Sequence, residues 1–418
     1  MIDRIEVADL KPYLNQNATP VVCLHFDFPG LGLSRCLGRH GIPVVALHPS
    51  GKTWLHRTRY AKIVASDELD RAGGLESALE TIAGISRERP VLIPLNDNAV
   101  RWLSQRAGHF QSQFRVAVCS PEAAEITVDK SKLGRFCEEN EIRVPQTVLI
   151  QVDDIPGSAV ELRFPAILKP LESSHWESYD ARCIVGSKKV VEVANRAELN
   201  DWLTLLRPLN KDVLFQEAIP GPDSNLLYAV GYVSKNGDIA GFFVGSKLRT
   251  YPPHFGRGSY VESVDAPDVD ILARKVVQAL EYRGAPVGIE FKRDARDGSL
   301  ALIEINPRFG LWDAFATDCG MDIAYAMYAD QTGLEYQAST SYRIGMRLLN
   351  VELDFPASVA YWRAGELRLD AWLKSIVGRH HSGIFARDDT SASWAYLRLA
   401  ARRTARGLAK WLRRSSDS

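Results

Sequence analysis

The feature that most constrains this chain is a short run at residues 301–310, ALIEINPRFG. Its aliphatic residues predict a β-strand that ends at the proline and the glycine. Because side chains alternate along a strand, Glu304 and Asn306 project from the same face, and Arg308 follows just beyond the strand end. Arg308 is placed there to hold a phosphate or a carboxylate in a bidentate fork. The run therefore predicts a binding site at the end of one strand.

A second strand is predicted just upstream, at residues 287–292, and it carries Glu290. The segment between the two strands has the Asp-Gly chemistry of a hairpin turn. Two antiparallel strands would place Glu290 and Glu304 side by side, with Asn306 one step along. Two carboxylates and an amide oxygen suit Mg²⁺, or Mn²⁺ in its place. The alternative is a surface hairpin with ordinary charges.

Composition excludes several classes of protein. The 418 residues suffice for two or three domains, and 51 basic residues balance 51 acidic ones, so no net field attracts nucleic acid or acidic membranes. The opening residues lack the apolar segment of a signal peptide, and no apolar run is long enough to span a bilayer. Six scattered cysteines without a CxxC pair predict buried free thiols in a reducing cytoplasm.

The first part of the chain predicts a βαβ unit of a doubly wound parallel sheet. Residues 20–25 and 41–47 have the apolar content of buried strands, and residues 27–32 predict a glycine-containing turn into a helix from about Leu33 to Arg39. The turn lacks the full GxGxxG pattern, which favours a tight βα turn over a dinucleotide site.

A further strand at residues 90–95 ends in polar side chains, among them Asn96 and Asp97. Ligands commonly bind at this end of an open parallel sheet, so both residues are candidate substrate contacts. Alternatively, this segment is the N-cap of the helix that follows.

Past residue 125 the pattern changes to an amphipathic helix that includes residues 130–137, and then to short strands. Lys169 lies at the end of an apolar strand, residues 164–170, which favours a phosphate partner; the alternative is a lysine that reaches water. Residues 173–179 are polar and predict a flexible lid loop, although the segment lacks the glycines that such loops usually contain.

Residues 213–221 predict a strand whose edge can bind adenine through the backbone, with Asp223 as an acceptor for a ribose hydroxyl. A hairpin follows around residues 235–238, and then a strand with Lys247 and Arg249 on one face. The proline- and glycine-rich residues 250–260 predict a mobile loop at the substrate entrance.

Within that loop, His254 and Arg257 are candidates for binding the acid, although a solvated loop histidine is the commoner case. Residues 314–330 have the helical spacing of a core element. The last stretch, residues 393–414, predicts a basic amphipathic helix. Such a helix lies on a membrane surface, binds a partner, or packs on its own domain with a solvated basic face; these alternatives stay open.

Taken together, these residues resemble the ATP-grasp superfamily, and within it the carboxylate–amine ligase group. The resemblance covers roughly residues 20–335 and rests on Lys130, Lys169, the QEAI segment at residues 216–219, and the Glu290 and Glu304 strands. It implies a fold of class α/β plus α+β. The expected parts are a Rossmann-like pre-ATP-grasp domain (1–124), an N-terminal lid subdomain (125–212), a C-terminal subdomain with the Mg-ATP site (213–340) and an extension (341–418).

The resemblance also implies a role for each matching residue. Lys130 and Lys169 would contact the nucleotide phosphates, Glu217 and Ile219 would bind adenine through their backbones, and Asp223 would bind the ribose. The nucleotide-binding residues would also include Gln216, Ala218 and Lys247. Mg²⁺ would be ligated by Glu290, Glu304 and Asn306. The transferring phosphoryl group and the acyl phosphate would be stabilised by Lys247 and Arg308, which are the expected catalytic residues. The sequence departs from the family in its glycine-poor lid and in having Asp at the ribose position, where Glu is common.

The implied reaction joins a small-molecule carboxylate to an amine through an acyl phosphate, with release of ADP and phosphate. An expected homodimer also follows from the resemblance. Two alternatives stay open: an enzyme of the same fold that uses a thiol or bicarbonate, and a nucleotide-binding regulator without turnover.

Overall fold

A computed structural model of the chain describes residues 6–49, 54–151, 163–171, 173–176, 178–186, 190–378 and 380–402. These residues form three β-sheets with helices packed around them. One sheet has five parallel strands, and the other two, with four and six strands, are antiparallel. The mixed α/β and α+β class that the sequence predicted is therefore confirmed.

The parallel sheet is built from the first part of the chain, in the order β3-β2-β1-β4-β5. Its strands are β1 Val21–Leu24, β2 Val44–His48, β3 Ala61–Ala65, β4 Val91–Pro94 and β5 Arg115–Val116. The helices of this part are α1 Lys11–Leu14, α2 Phe28–Arg39, α3 Gly74–Ile85 and α4 Asp97–Phe110. The predicted βαβ unit is present as β1, α2 and β2, whose strands pair in parallel. Its identification as a Rossmann-like domain stays a prediction.

The predicted turn at residues 27–32 is wrong, because helix α2 already begins at Phe28 and contains both glycines. A proline is compatible with the first turn of a helix, where its missing N–H is not needed. The glycines allow close packing instead. A Cβ atom at Gly32 would lie 2.9 Å from the Cβ of Ala314, and one at Gly30 would lie 2.7 Å from the ring of Phe26.

The four-stranded sheet comes next in the chain and has the order β6-β9-β7-β8. Its strands are β6 Thr147–Ile150, β7 Ala166–Pro170, β8 Val191–Val193 and β9 Val213–Glu217. The helices in this part of the chain are α5 Pro121–Val128, α6 Lys130–Glu139, α7 Tyr179–Val185 and α8 Arg196–Leu206.

The predicted lid loop at residues 173–179 is corrected where the structure describes it. Ser173–Trp176 is a 3₁₀ helix, and α7 begins at Tyr179. Trp176 is buried in the core of this sheet, which anchors the segment. Residues 172 and 177 lie outside the described residues.

The six-stranded sheet has the order β14-β13-β10-β11-β12-β15. Its strands are β10 Leu226–Val233, β11 Phe243–Tyr251, β12 Arg257–Ser263, β13 Ala285–Arg293, β14 Leu300–Asn306 and β15 Arg347–Leu349. Helices α9 Pro267–Ala279, α10 Leu311–Cys319 and α11 Ile323–Thr332 lie between these strands in the chain. Both predicted hairpins are confirmed, since β10 pairs antiparallel with β11, and β13 with β14.

The predicted mobile loop at residues 250–260 is shorter than expected. Strand β11 extends to Tyr251 and β12 begins at Arg257, so only residues 252–256 connect them. Lys247 and Arg249 belong to β11 itself, which has an irregularity in register between them. The expected core at residues 314–330 is confirmed as parts of α10 and α11.

The last part of the chain packs against the earlier sheets. Helices α12 Val351–Arg363 and α13 Leu369–Ile376 follow β15, and residues 390–402 form a further helix, α14. Just before α14, the buried carboxylate of Asp389 accepts hydrogen bonds from Arg35 Nε at 2.9 Å and Thr58 Oγ1 at 2.8 Å. The ring of Tyr396 in α14 contacts the ring of Trp54, with centroids 5.1 Å apart. This segment therefore fastens the end of the described chain to the parallel sheet.

Of the predicted basic helix at residues 393–414, only the part up to residue 402 is described, and Leu408, Trp411 and Leu412 lie outside the described residues. Within the described ranges, no helix is both long and apolar enough to cross a membrane. The four-part division at residues 124, 212 and 340 stays a prediction.

Candidate active site

A cleft of about 1280 Å³ lies where the four-stranded sheet, the six-stranded sheet and α12 meet the segments that follow β1 and β4 of the parallel sheet. Most of the predicted site residues line it. They are Asp97, Lys130, Lys169, Gln216, Glu217, Ala218, Ile219, Lys247, His254, Arg257, Glu290, Glu304, Asn306 and Arg308. The structure thus brings together side chains that are more than 200 positions apart in the sequence.

The acidic pair is arranged as the hairpin predicted. Glu290 on β13 lies directly opposite Glu304 on β14, and Asn306 Nδ2 donates a hydrogen bond to Glu304 Oε1 at 3.0 Å. Lys247 Nζ lies 2.6 Å from Glu290 Oε2, and both side chains are nearly buried. Burial raises the pKa of Glu290, and the charge of Lys247 opposes that rise.

These residues fit a magnesium ion by their chemistry. Two carboxylates and the Asn306 amide offer only oxygen ligands, which Mg²⁺ prefers, and the open cleft leaves room for water and phosphate oxygens. In the part of the chain that the structure describes, no group of three or more His, Cys, Asp or Glu side chains could hold a metal ion. The fit therefore rests on Glu290, Glu304 and the amide of Asn306 together.

Arg308 connects the acidic pair to the parallel sheet. Its Nε donates to Asp97 Oδ1 at 2.7 Å, and its Nη2 donates to Asn306 Oδ1 at 3.1 Å. Asp97 is thus in the cleft, as predicted. Asn96 is not among the cleft residues, because its Oδ1 accepts from the backbone N–H of Ala99 at 2.7 Å and caps α4. For Asn96, the alternative of a helix cap is confirmed.

The two predicted phosphate lysines face the cleft from the elements around the four-stranded sheet. Lys169 Nζ donates to Gln216 Oε1 at 2.9 Å. Burial, followed by the charge of nearby Lys130, lowers the pKa of Lys169 to about 8. The positive charges of the two lysines repel each other, and an anionic ligand in the cleft would relieve that repulsion.

The predicted adenine segment lines the cleft, but part of its backbone is already paired. The N–H of Glu217 donates to the carbonyl of Gln146 at 2.8 Å, and the N–H of Ala218 donates to the carbonyl of Pro165 at 3.0 Å. The carboxylate of Glu217 accepts from Arg296 at 2.6 Å. A contact from Glu217 to adenine would therefore use its carbonyl oxygen.

Asp223 and Arg249 are corrected, because neither is among the residues that line the cleft. The buried carboxylate of Asp223 accepts from Thr250 Oγ1 at 2.9 Å, lies 3.0 Å from His254 Nδ1, and accepts from the hydroxyl of Tyr361. Because these three contacts occupy its carboxylate, Asp223 stabilises the folded structure and is not available to bind a ribose hydroxyl.

The guanidinium of Arg249 is likewise used inside the protein. Its Nε and Nη2 donate to the two carboxylate oxygens of Asp354 in α12, at 2.9 and 3.0 Å, and both side chains are buried. The position of His254 at the cleft is confirmed, but its ring nitrogens are bound to Asp223 and Glu366. Arg257 is exposed and lines the cleft.

Sequence reasoning missed several cleft residues. Asp27, Tyr228, Trp312 and Asn350 all line the cleft. Asp27 follows the end of β1, where ligands bind in parallel sheets, and this position was a usable signal. No local sequence pattern identifies Asn350 as a site residue. It lines the cleft because β15, which directly precedes it, pairs with β12 at the edge of the six-stranded sheet.

Comparisons with known proteins agree with this geometry. No family model matches the chain. The chain is 26% identical to the D-aspartate ligase of Enterococcus faecium (strain Aus0004) over 302 residues, which cover 68% of this chain and 70% of that protein.

Solved structures share the fold. The ADP complex of PurK, an N5-carboxyaminoimidazole ribonucleotide synthetase, superposes with a TM-score of 0.60 and 16% identity over 79% of this chain and 81% of that chain. An L-amino acid ligase from Bacillus licheniformis gives a TM-score of 0.55 with 15% identity, over 80% and 79% of the two chains.

The chain has the ATP-grasp fold, and the predicted resemblance to that superfamily is confirmed. Within it, the resemblance to the carboxylate–amine ligase group is confirmed by the D-aspartate ligase relative. The D-aspartate ligase relative and several structural neighbours are ligases, which agrees with the expected class, an ATP-dependent ligase that forms a carbon–nitrogen bond. ATP with Mg²⁺ is the general cofactor pair of these proteins, as predicted.

Proposed function

We propose that this protein joins a small-molecule carboxylate to an amine through an acyl phosphate, with release of ADP and phosphate. The observation that carries the proposal is the convergence of Glu290, Glu304, Asn306, Lys247 and Arg308 in one cleft. These are the groups that phosphoryl transfer to a carboxylate needs, because that chemistry depends on positioning and on neutralising negative charge.

Each step follows from the chemistry of the groups present. A carboxylate resists attack because oxide is a poor leaving group, whereas the phosphate of an acyl phosphate leaves readily. Lys130 and Lys169 would hold the nucleotide phosphates, and Lys247 and Arg308 would stabilise the charge on the transferring group. Glu290, Glu304 and Asn306 would hold Mg²⁺, which would supply positive charge to offset the negative charge of the phosphates.

We further propose that the acid substrate carries an amino group. Two relatives are named for amino acids, D-aspartate ligase and L-amino acid ligase. The cleft supports this, because Asp27 and Asp97 lie near the Arg308 guanidinium, and a buried oxygen of Asp27 has no hydrogen-bond partner among the described residues. Arg308 would bind the carboxylate and the two aspartates would bind the ammonium group.

The direct test is release of ADP and phosphate from Mg-ATP across a matrix of amino and hydroxy acids paired with amines, thiols and bicarbonate. Amine-dependent release, with a product lighter by one water than its two substrates, is the expected outcome. Release only with a thiol or bicarbonate would replace the acceptor in the proposal. Tight ATP binding without any product would favour a regulator.

Two variants test the residue assignment. Glu304→Ala and Asn306→Ala remove metal ligands, and each is expected to abolish turnover while the folded structure remains. Glu335→Ala, an exposed glutamate away from the cleft, is the matched control and should keep the wild-type rate. Wild-type turnover of Glu304→Ala at saturating ATP and Mg²⁺ would contradict the assignment.

We also propose a cytoplasmic location and a homodimer. All six cysteines are free thiols and five of them are buried, which suits a reducing compartment. Cell fractionation and the molar mass in solution test these two points. Binding of the C-terminal helix to membranes is tested by vesicle sedimentation that compares the full chain with one that ends at Arg402. The shortened chain keeps Asp389, which accepts a hydrogen bond from Arg35.

A further inference from the structure

Tyr228 belongs to the row of side chains on the floor of the cleft. In the sheet it lies directly opposite Glu290 on β13, and Glu290 lies opposite Glu304 on β14. Paired residues on adjacent strands project from the same face, and all three side chains line the cleft. Tyr228 is therefore an immediate neighbour of the acidic pair.

The hydroxyl of Tyr228 occupies the space above Gly288. A Cβ atom at residue 288 would lie 2.1 Å from the hydroxyl oxygen, so only glycine leaves room for it. Gly288 lies opposite Asn306 in the sheet. The hydroxyl thus reaches the Asn306 end of the row, next to Arg308, whose Nη2 donates to Asn306 Oδ1 at 3.1 Å.

The ring of Tyr228 is held in this position by Trp312. The two rings contact edge to face with centroids 5.0 Å apart. Trp312 in turn lies over Gly245, where a Cβ atom would be 2.6 Å from the indole ring. Two glycines, Gly288 on β13 and Gly245 on β11, lie on the strands that flank β10 and make room for two aromatic rings, so the phenol has little freedom to move.

Among the described residues, the hydroxyl of Tyr228 has no hydrogen-bond partner, although the residue is only 9% exposed. Tyr232, four positions along the same strand, shows the usual arrangement, since its hydroxyl donates to Asp330 at 2.6 Å. The fully buried side-chain oxygens that have no partner do not include the Tyr228 hydroxyl, because Tyr228 lines the open cleft. The hydroxyl of Tyr228 is therefore available to a ligand in the cleft.

We propose that the Tyr228 hydroxyl donates a hydrogen bond to the carbonyl oxygen of the activated acid and acts with Arg308 as a catalytic pair in the amide-forming step. This inference rests on the proposed function. The position of the hydroxyl beside Asn306 and Arg308 places it at the acid, whereas Lys130 and Lys169, on α6 and β7, are the residues expected at the nucleotide phosphates.

In that step, the nitrogen lone pair of the neutral amine forms the C–N bond, and the carbonyl π electrons move to oxygen. The resulting oxyanion accepts hydrogen bonds from Tyr228 and Arg308. When it collapses, the C–O bond to phosphate breaks, phosphate leaves with the electron pair, and the nitrogen gives one proton to water. Donors aimed at an oxygen that gains charge lower the barrier of such a step.

The test compares Tyr228→Phe with Tyr232→Phe, which also loses one hydroxyl but lies outside the cleft lining. Amide formation is measured with the acid and amine that the substrate matrix identifies, and acyl phosphate formation is measured separately by trapping with hydroxylamine. Loss of one such donor is expected to lower kcat for amide formation roughly 100- to 1,000-fold in Tyr228→Phe. Acyl phosphate formation and the KM for the acid should change less than about three-fold, and Tyr232→Phe should match the wild type.

Equal amide-forming rates in the two variants would overturn the inference and leave the proposed function intact. A rise in the KM for the acid without a change in kcat would also overturn it, since that result indicates ground-state binding only. If Tyr228→Phe does not fold, Gly288→Ala takes its place, because the new Cβ displaces the hydroxyl and should cause the same loss in the amide-forming step. A wild-type protein that releases no ADP with any acid overturns the proposed function, and the inference with it.

Discussion

Lys247 and Glu290 form an ion pair across the β-sheet, with Nζ and Oε2 2.6 Å apart and both side chains nearly buried. The pair lies on the floor of the cleft, and Glu290 also lies opposite Glu304. Burial raises the pKa of Glu290, and the charge of Lys247 opposes that rise.

Glu290→Gln is expected to lower kcat by at least about 100-fold and to raise the Mg²⁺ concentration needed for half-maximal rate, because a charged oxygen ligand is lost and Lys247 loses its partner. Steady-state rates against Mg²⁺ concentration measure both effects. Glu262→Gln is the control, since Glu262 pairs with Arg347 in a more exposed position. An unchanged Mg²⁺ requirement in Glu290→Gln would remove Glu290 from the metal site.

Asp97→Asn tests the connection between Arg308 and the parallel sheet. The substitution weakens the 2.7 Å contact that orients the guanidinium, so we expect kcat/KM for the acid to fall about 10- to 100-fold. Rates with varied acid at saturating ATP measure the change. Glu125→Gln, which affects surface ion pairs with Arg101 and Lys132, should leave the rate unchanged. A wild-type kcat/KM in Asp97→Asn would show that the carboxylate of Asp97 is not required to orient the Arg308 guanidinium.

Asp389→Ala is expected to reduce the free energy of unfolding by about 3–5 kcal/mol, because it leaves the buried guanidinium of Arg35 without its carboxylate. Equilibrium unfolding in urea measures the change. Asp370→Ala breaks an exposed pair with Arg368 and should cost less than about 1 kcal/mol. Similar losses in the two variants would mean that the buried pair contributes no more than a surface pair.

Gly32→Ala tests whether close packing requires glycine in α2. The new Cβ would lie 2.9 Å from the Cβ of Ala314, and we expect a loss of about 1–3 kcal/mol in the free energy of unfolding. Gly134→Ala in α6 is the matched control, since a Cβ there meets nothing within 4 Å and should stabilise the helix by about 0.5–1 kcal/mol. Thermal or urea unfolding measures the change, and we expect the free energy of unfolding to fall in Gly32→Ala and to rise in Gly134→Ala.

His254 should make stability depend on pH. Its hydrogen bond to Asp223 raises the pKa of the folded-state imidazole to about 9, above the ordinary value of 6.5. The contribution of His254 is therefore fully present below pH 6.5 and is lost as the pH rises through about 9. The difference in urea midpoint between the wild type and His254→Asn, a residue that tolerates the positive φ of 66°, should shrink over that range. A difference in urea midpoint that stays constant from pH 6 to pH 10 would contradict the expected contribution of His254.

The acidic pair could be predicted from the sequence because every signal for it is local. Alternation within residues 300–306 and the Asp-Gly turn before them fix which side chains share a face, and the antiparallel register then brings Glu290 to Glu304. Lys169 was found for a similar reason, since it is a charge at the end of an apolar strand.

The errors at Arg249 and Asp223 concern contacts between distant parts of the chain. Arg249 resembled a substrate ligand because its partner Asp354 lies 105 residues further on. Asp223 resembled a ribose ligand because its donor Tyr361 lies 138 residues away. Such pairings depend on how α12 packs on the sheet, and no local spacing or propensity records that packing.

The pairing of Arg35 with Asp389 has a consequence for biosynthesis. The two residues are 354 positions apart, which a ribosome covers in roughly 20–70 s at 5–20 residues per second. During that time the parallel sheet has been made, but Arg35 in its second helix has no carboxylate partner. The native structure of this sheet is therefore completed only after residue 389 has been translated, and shorter chains expose a surface that the folded protein covers.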